Sequence, residues 1–91
     1  MGRLYSGNLA AFKSACDRLR NLDFLVISEE FFDSTRRRCC MNLRIEFIDG
    51  DILYQKTFCH VDEDVLYNTC TSWLNLLAEQ LQEWNSANST H

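Results

Sequence analysis

Residues 41–58, MNLRIEFIDGDILYQKTF, decide how the chain folds. The Asp49–Gly50 step lies between two runs of alternating character. It is a strong hairpin signal, because a two-residue type I′ turn needs positive φ at both central positions. With those two residues in the turn, Ile48 faces Asp51 and the remaining cross-strand partners follow. Phe47 lies opposite Ile52, Ile45 opposite Tyr54, Leu43 opposite Lys56 and Met41 opposite Phe58. On the other face Glu46 meets Leu53, Arg44 meets Gln55 and Asn42 meets Thr57. One face is then apolar except for Lys56, and the other polar except for Leu53. A slip of one residue pairs Ile45 with Gln55 and Leu43 with Thr57 and mixes both faces, so the register is specified. The Lys56 stem can lie along the core edge with its ammonium in water.

The same register, carried outward, sets Cys40 against Cys59 on the polar face and Cys39 against His60 on the apolar face. Upstream, Phe24-Leu25-Val26-Ile27 reads as a strand continuing towards Phe31-Phe32, although Glu29 and Glu30 break its alternation. Asp33-Ser34-Thr35 supplies the turn between the two strands. Before it, Leu9, Phe12, Cys16 and Leu19 recur at spacings of three and four. This predicts an amphipathic helix of about three turns, capped at Ser6 or Asn8 and ending around Asn21.

After the hairpin, Asp62 is suited to cap a second helix, with Glu63 and Asp64 complementing its dipole. Leu66, Cys70, Trp73, Leu74, Leu77, Leu81 and Trp84 share one face of it. Such a helix runs ~33 Å, close to the ~30 Å of a nine-residue strand. The predicted fold is α+β: an α-β-β-β-α chain forming a three-stranded antiparallel meander with both helices on one face. At 91 residues this is one domain, 1–91, with the polar segment 85–91 as a flexible tail.

The composition is 46% hydrophobic and 24% charged, which is globular rather than disordered. No apolar run is long enough to span a membrane, and no apolar core follows Arg3 as a signal peptide requires. The expected location is therefore cytoplasmic, or the host cytoplasm for a viral protein, with the cysteines as thiols. Met1-Gly2 with Ser6 fits the loose myristoylation pattern, and Asn88-Ser89-Thr90 is a sequon without an export route.

Metal and catalytic chemistry are poorly supported. Cys39, Cys40, Cys59 and His60 divide two and two across the sheet and cannot converge on one zinc without a bulge. Cys16, Cys39 and Cys70 fit as small buried hydrophobes. Cys40 and Cys59 form the better thiol pair, since opposed strand positions suit a disulfide. The duller expectation for them is two exposed neutral thiols. Cys59 and His60 point to opposite faces, and the three glycines, Gly2, Gly7 and Gly50, make no phosphate loop. No enzyme, cofactor or metal is expected.

Charge is the most informative feature. Residues 1–44 carry +3 and residues 45–91 carry −7, giving a net charge of −4. Glu46, Asp49, Asp51, Asp62, Glu63, Asp64, Glu79 and Glu83 define a candidate partner-binding surface. It suits a basic, nucleic-acid-handling protein whose phosphate ligands these carboxylates imitate. The opposing candidate is a nucleic-acid site at Arg36, Arg37, Arg38, Arg44 and Lys56. The element order is that of double-stranded RNA-binding domains, but those place lysines at the start of the last helix, where this chain has DEDVLYNT. Direct nucleic-acid binding is disfavoured. A homodimeric subunit is a third option, pairing through the strand edge at Phe24–Phe32 or through Trp84. In size, charge and element order the chain is similar to some phage-encoded anti-CRISPR and other anti-defence inhibitors. That likeness implies steric or DNA-mimic inhibition of a protein partner.

Overall fold

The computed structural model describes residues 6–89. Its elements are α1 (Ser6–Arg20), β1 (Phe24–Asp33), β2 (Arg38–Phe47), β3 (Ile52–His60) and α2 (Glu63–Ser89). The strands form one antiparallel sheet in the order β1-β2-β3. Both helices lie on the same face, as the alternation of the strands demands. Met41, Leu43 and Ile45 of β2, with Phe24 and Val26 of β1, pack against Phe12, Ala15, Cys16 and Leu19 of α1. From α2, Leu66, Tyr67, Cys70, Leu74, Leu77 and Ala78 complete the core. The Met1-Gly2 motif lies outside the described residues. Among the described residues no helix is long and apolar enough to cross a membrane.

The ambiguous strand β1 resolves through its register. Phe24 pairs with Phe47, Val26 with Ile45 and Glu30 with Met41, so even-numbered residues face the helices. Glu30 therefore points inward at the edge of the core, where the Tyr67 hydroxyl donates to its Oε1 at 2.6 Å. Glu29 faces the open side of the sheet with Leu25, Ile27 and Phe31. The alternation was intact all along, with a carboxylate on each face.

The hairpin keeps its predicted pairing from Cys39↔His60 to Ile45↔Tyr54 and departs from it at the tip. The turn is not a two-residue type I′ turn. The Gly50 N–H donates to the Phe47 carbonyl and the Phe47 N–H to the Asp51 carbonyl, each at 2.9 Å. The loop thus has three residues, Ile48, Asp49 and Gly50, of which Gly50 alone has positive φ (101°). This turn-plus-glycine loop is the next commonest hairpin connection. It moves the tip register by one, so that Glu46 faces Ile52 rather than Leu53, and Phe47 faces Asp51 rather than Ile52. A β-bulge at Leu53 restores the register below. Two residues on β3 then oppose one on β2, which frees Leu53 from strict alternation. Leu53 packs against the core. The one apolar residue that the simple register left on the polar face is the residue that bulges.

Helix α1 ends with Asn21 N–H donating to the Asp17 carbonyl (2.8 Å) and Asp23 at φ 71°, a left-handed stop. Helix α2 starts as predicted: Asp62 Oδ1 accepts from the N–H groups of Asp64 (2.9 Å) and Val65 (3.4 Å). It continues to Ser89, so much of the segment expected as a tail is helical. At 27 residues α2 spans about 40 Å against about 30 Å for β3, and runs back along it. Its last turns pass the hairpin tip, consistent with the long dimension of 53 Å. Lys56 keeps its inner-face position, with Nζ 5.3 Å from the Phe58 ring centroid.

Two substitutions test this account. Gly50→Ala adds a side chain that meets no atom within 4 Å, so its cost is backbone conformation alone, about 1–2 kcal/mol in urea unfolding. Leu74→Ala empties a fully buried position under the sheet and is expected to cost about 2–5 kcal/mol by the same measurement.

Candidate partner-docking surface

The carboxylates predicted to meet a partner fall into two groups. Asp49 and Asp51 occupy the hairpin tip, where the Asp51 N–H donates to Asp49 Oδ1 at 3.0 Å and stiffens the loop. Glu46 lies just below, its Oε2 2.7 Å from Arg44 Nε in an ion pair of poor hydrogen-bond alignment. With its side chain only 13% exposed, Glu46 offers little free charge. Glu79 and Glu83 lie on the part of α2 that reaches this same end and, with Gln82 and Ser86, line a shallow polar groove.

The second group, Asp62, Glu63 and Asp64, sits at the opposite end of the sheet because α2 begins where β3 ends. Asp62 is engaged as the helix cap, and Asp64 Oδ1 accepts from Asn8 Nδ2 at 3.1 Å. The Glu63 carboxyl is raised above its usual range, first by a hydrogen bond with Glu30, then by burial and the charges of Glu30 and Asp64. Tyr67 is pushed far upward by burial and then by Glu30. A length of sheet thus separates the two acidic groups.

Between the hairpin tip and the end of α2 lies a cleft of about 300 Å³ lined by Phe24, Phe47, Leu53, Tyr54, Gln80, Leu81 and Trp84. Phe24 and Phe47 stack at a tilt, 5.7 Å between centroids. Phe47 and Tyr54 are partly open to solvent, and Trp84 is 59% exposed. The sequence placed Phe47 and Tyr54 on the apolar face of the hairpin and Trp84 on the apolar stripe of α2, with Trp84 also offered as a homodimer contact. The signal that could have found them is length: the apolar stripe of α2 outruns the strands beneath it.

The basic candidates do not gather into one patch. Asp33 Oδ1 accepts from the N–H groups of Thr35 (3.1 Å) and Arg36 (3.3 Å), and Asp33 Oδ2 lies 3.4 Å from Arg38 Nε. The Arg36 N–H is the first cause of a lowered Asp33 carboxyl pKa. Arg36, Arg37 and Arg38 therefore mark the β1–β2 turn, at the end where acidic α2 starts. Arg44 lies mid-strand on the open face, and Lys56 on the helix face of edge strand β3.

The cysteines divide as the register requires. Cys40 and Cys59 are joined as a disulfide, with Cα atoms 4.1 Å apart. They are not the pair of exposed thiols expected: Cys40 is 1% exposed, on the central strand between Phe31 and Cys59. Cys39 is a free thiol, and His60 Nδ1 accepts from the Asp62 N–H at 2.9 Å. Burial pushes the Cys70 thiol up to about 12 and also raises Cys16. Among the described residues no group of three or more His, Cys, Asp or Glu is arranged to hold a metal. The open face of the sheet carries Leu25, Ile27, Phe31 and Ile52, all partly exposed.

Comparison with known proteins gives a consistent picture. The profile of a family described as bacteriophage T7-like, gene 1.2 matches residues 1–85. The chain is 52% identical over 84 residues to a protein of Escherichia phage T7 named inhibitor of dGTPase, covering 92% of this chain and 99% of that protein. It is 34% identical over 89 residues to the gene 1.2 protein of Enterobacteria phage T3, covering 92% and 97% respectively.

The Glu30–Glu63 contact has a pH signature. A folded-state pKa above the unfolded value contributes stability that is full below the ordinary 4.5 and is lost as pH rises through the raised value. Glu63→Gln removes this dependence. Thermal melts between pH 4 and 7 should therefore show the variant gaining on the unsubstituted protein as pH rises. A difference independent of pH means the two carboxyls do not interact.

Proposed function

We propose that this chain, which belongs to the bacteriophage T7-like gene 1.2 family, is a non-enzymatic inhibitor that binds a dGTP-hydrolysing host enzyme. The observation that carries this reading is the 52% identity, over almost the whole of both chains, with the T7 protein named inhibitor of dGTPase.

The physical logic is electrostatic. An enzyme that binds a deoxynucleoside triphosphate must present cationic groups to a polyanion, so its mouth attracts negative charge. The inhibitor brings its −7 half to that mouth. Asp49, Asp51, Glu79 and Glu83 form the leading edge, with Glu46 tied to Arg44 and the Asp62, Glu63 and Asp64 group at the far end. Carboxylates at the tip stand in for phosphates, the mode also inferred for DNA-mimic inhibitors. Inhibition is by occupation, in the cytoplasm where the substrate is made and used, and needs no cofactor. The likeness to anti-CRISPR proteins is one of size and mode; the target here is a nucleotide hydrolase.

The test is titration of the protein into the dGTPase of an Escherichia host while dGTP hydrolysis is followed. The unsubstituted protein is expected to inhibit. The double variant Asp51→Lys/Glu83→Lys is expected to lose about tenfold or more in potency, an effect that shrinks as salt is added. Asp17→Lys/Glu29→Lys matches the net charge change away from the tip and is expected to retain potency. Equal potency for both double variants removes the acidic end as the docking surface.

A further inference from the structure

We propose that the cleft between the hairpin tip and the overhanging end of α2 is the anchor site for the partner enzyme, receiving one apolar side chain from a surface segment flanked by Lys or Arg. This rests on the inhibitor reading and names the contact through which it works.

Two features of the backbone build the cleft. The bulge at Leu53 brings Leu53 to the helix side beside Tyr54, which holds its inward pairing with Ile45. The length of α2 carries Leu81 and Trp84 to the hairpin end of the sheet, where the largely exposed Trp84 forms the outer wall. The result is an opening of about 300 Å³ lined by aromatic and aliphatic groups, with Gln80 the polar member. This is at the small end of the range for ligand pockets, and suits a single side chain better than a whole cofactor.

The rim selects the occupant. The Asp51 carbonyl accepts from the N–H of the cleft-lining Phe47, and Glu79 and Glu83, next in sequence to Gln80 and Trp84, line the neighbouring polar groove of α2. Of residues 45–91 only Lys56 is basic, and its ammonium lies against Phe58, away from the cleft. An aromatic-lined opening can also stack nucleobases, but such sites track the backbone with positive charge, and these carboxylates repel phosphates. A desolvated aromatic centre inside a charged rim is the anatomy of a protein–protein hot spot. Complementarity requires an apolar tip, such as leucine, methionine or phenylalanine, with cationic neighbours. The acidic rim steers the encounter, and the cleft holds the complex once formed.

Two variants separate cleft from rim. Trp84→Ala removes a wall without touching the buried core, and Gln80→Trp fills the opening from an exposed helical position. Each is first shown to melt like the unsubstituted protein. Affinity for the Escherichia dGTPase is then measured across a series of salt concentrations. Both variants are expected to bind about 30-fold more weakly with the salt slope unchanged, whereas Asp51→Lys/Glu83→Lys flattens the slope. If the unsubstituted protein binds and both cleft variants bind within twofold of it, the anchor assignment is wrong and the inhibitor reading stands. If the unsubstituted protein neither binds nor inhibits the enzyme, the inhibitor reading fails and the anchor falls with it. Quenching of Trp84 fluorescence by a single-stranded oligonucleotide alone, lost in Trp84→Ala, overturns the proposal in favour of nucleic acid.

Discussion

The closure of the β2–β3 hairpin governs the rest of the molecule. The two backbone hydrogen bonds linking Phe47 to Gly50 and Asp51 create a three-residue loop, and a loop of that length shifts the strands by one position. Without correction, every side chain of β3 would change faces, burying Gln55 and Thr57 and exposing Tyr54 and Phe58. The bulge at Leu53 absorbs the shift within one residue. From Tyr54 to His60 the strand then presents the face that α2 needs, and Phe58 meets Trp73 edge-on at 5.5 Å. Loop and bulge are therefore one device in two parts, each requiring the other.

The second constraint is a mismatch of length. A strand advances more than twice as far per residue as a helix, yet the 27 residues of α2 still outreach the nine of β3. Helix and sheet begin together at the Asp62 cap, so the whole excess appears at the hairpin end. There Leu81, partly buried against the core, and the largely exposed Trp84 end the apolar stripe. The bulge opens the same corner from the strand side. A recess lined by aromatic residues follows from these two unrelated features meeting at one place.

Connectivity also sorts the charges. The acidic residues of the C-terminal half are dispersed in sequence, but reversing the chain at Gly50 and again at Asp62 distributes them to the two ends of a narrow molecule. At the α2 start they have structural tasks, capping the helix at Asp62 and contacting Glu30 at Glu63. At the hairpin end Asp51 lies beside Phe47 of the recess, and Glu79 and Glu83 line a separate polar groove on α2. That end therefore holds both exposed carboxylates and an apolar recess.

The order of elements, the inward face of β2, the cap at Asp62 and the division of Cys39, Cys40, Cys59 and His60 across the sheet were all legible in the sequence. They follow from periodicity and local side-chain chemistry, which act over a few residues. The turn type was not legible, because Asp-Gly suits both a two-residue and a three-residue loop; the choice fell to the packing of Leu53 in the core. The burial of Cys40 was hidden because an outward position on a central strand is covered by its lateral neighbours, Phe31 and Cys59. The recess, and the separation of the acids into two groups, required knowing where α2 ends relative to the sheet. That is a matter of three-dimensional length and direction, set when the layers pack, and no pattern along the chain expresses it.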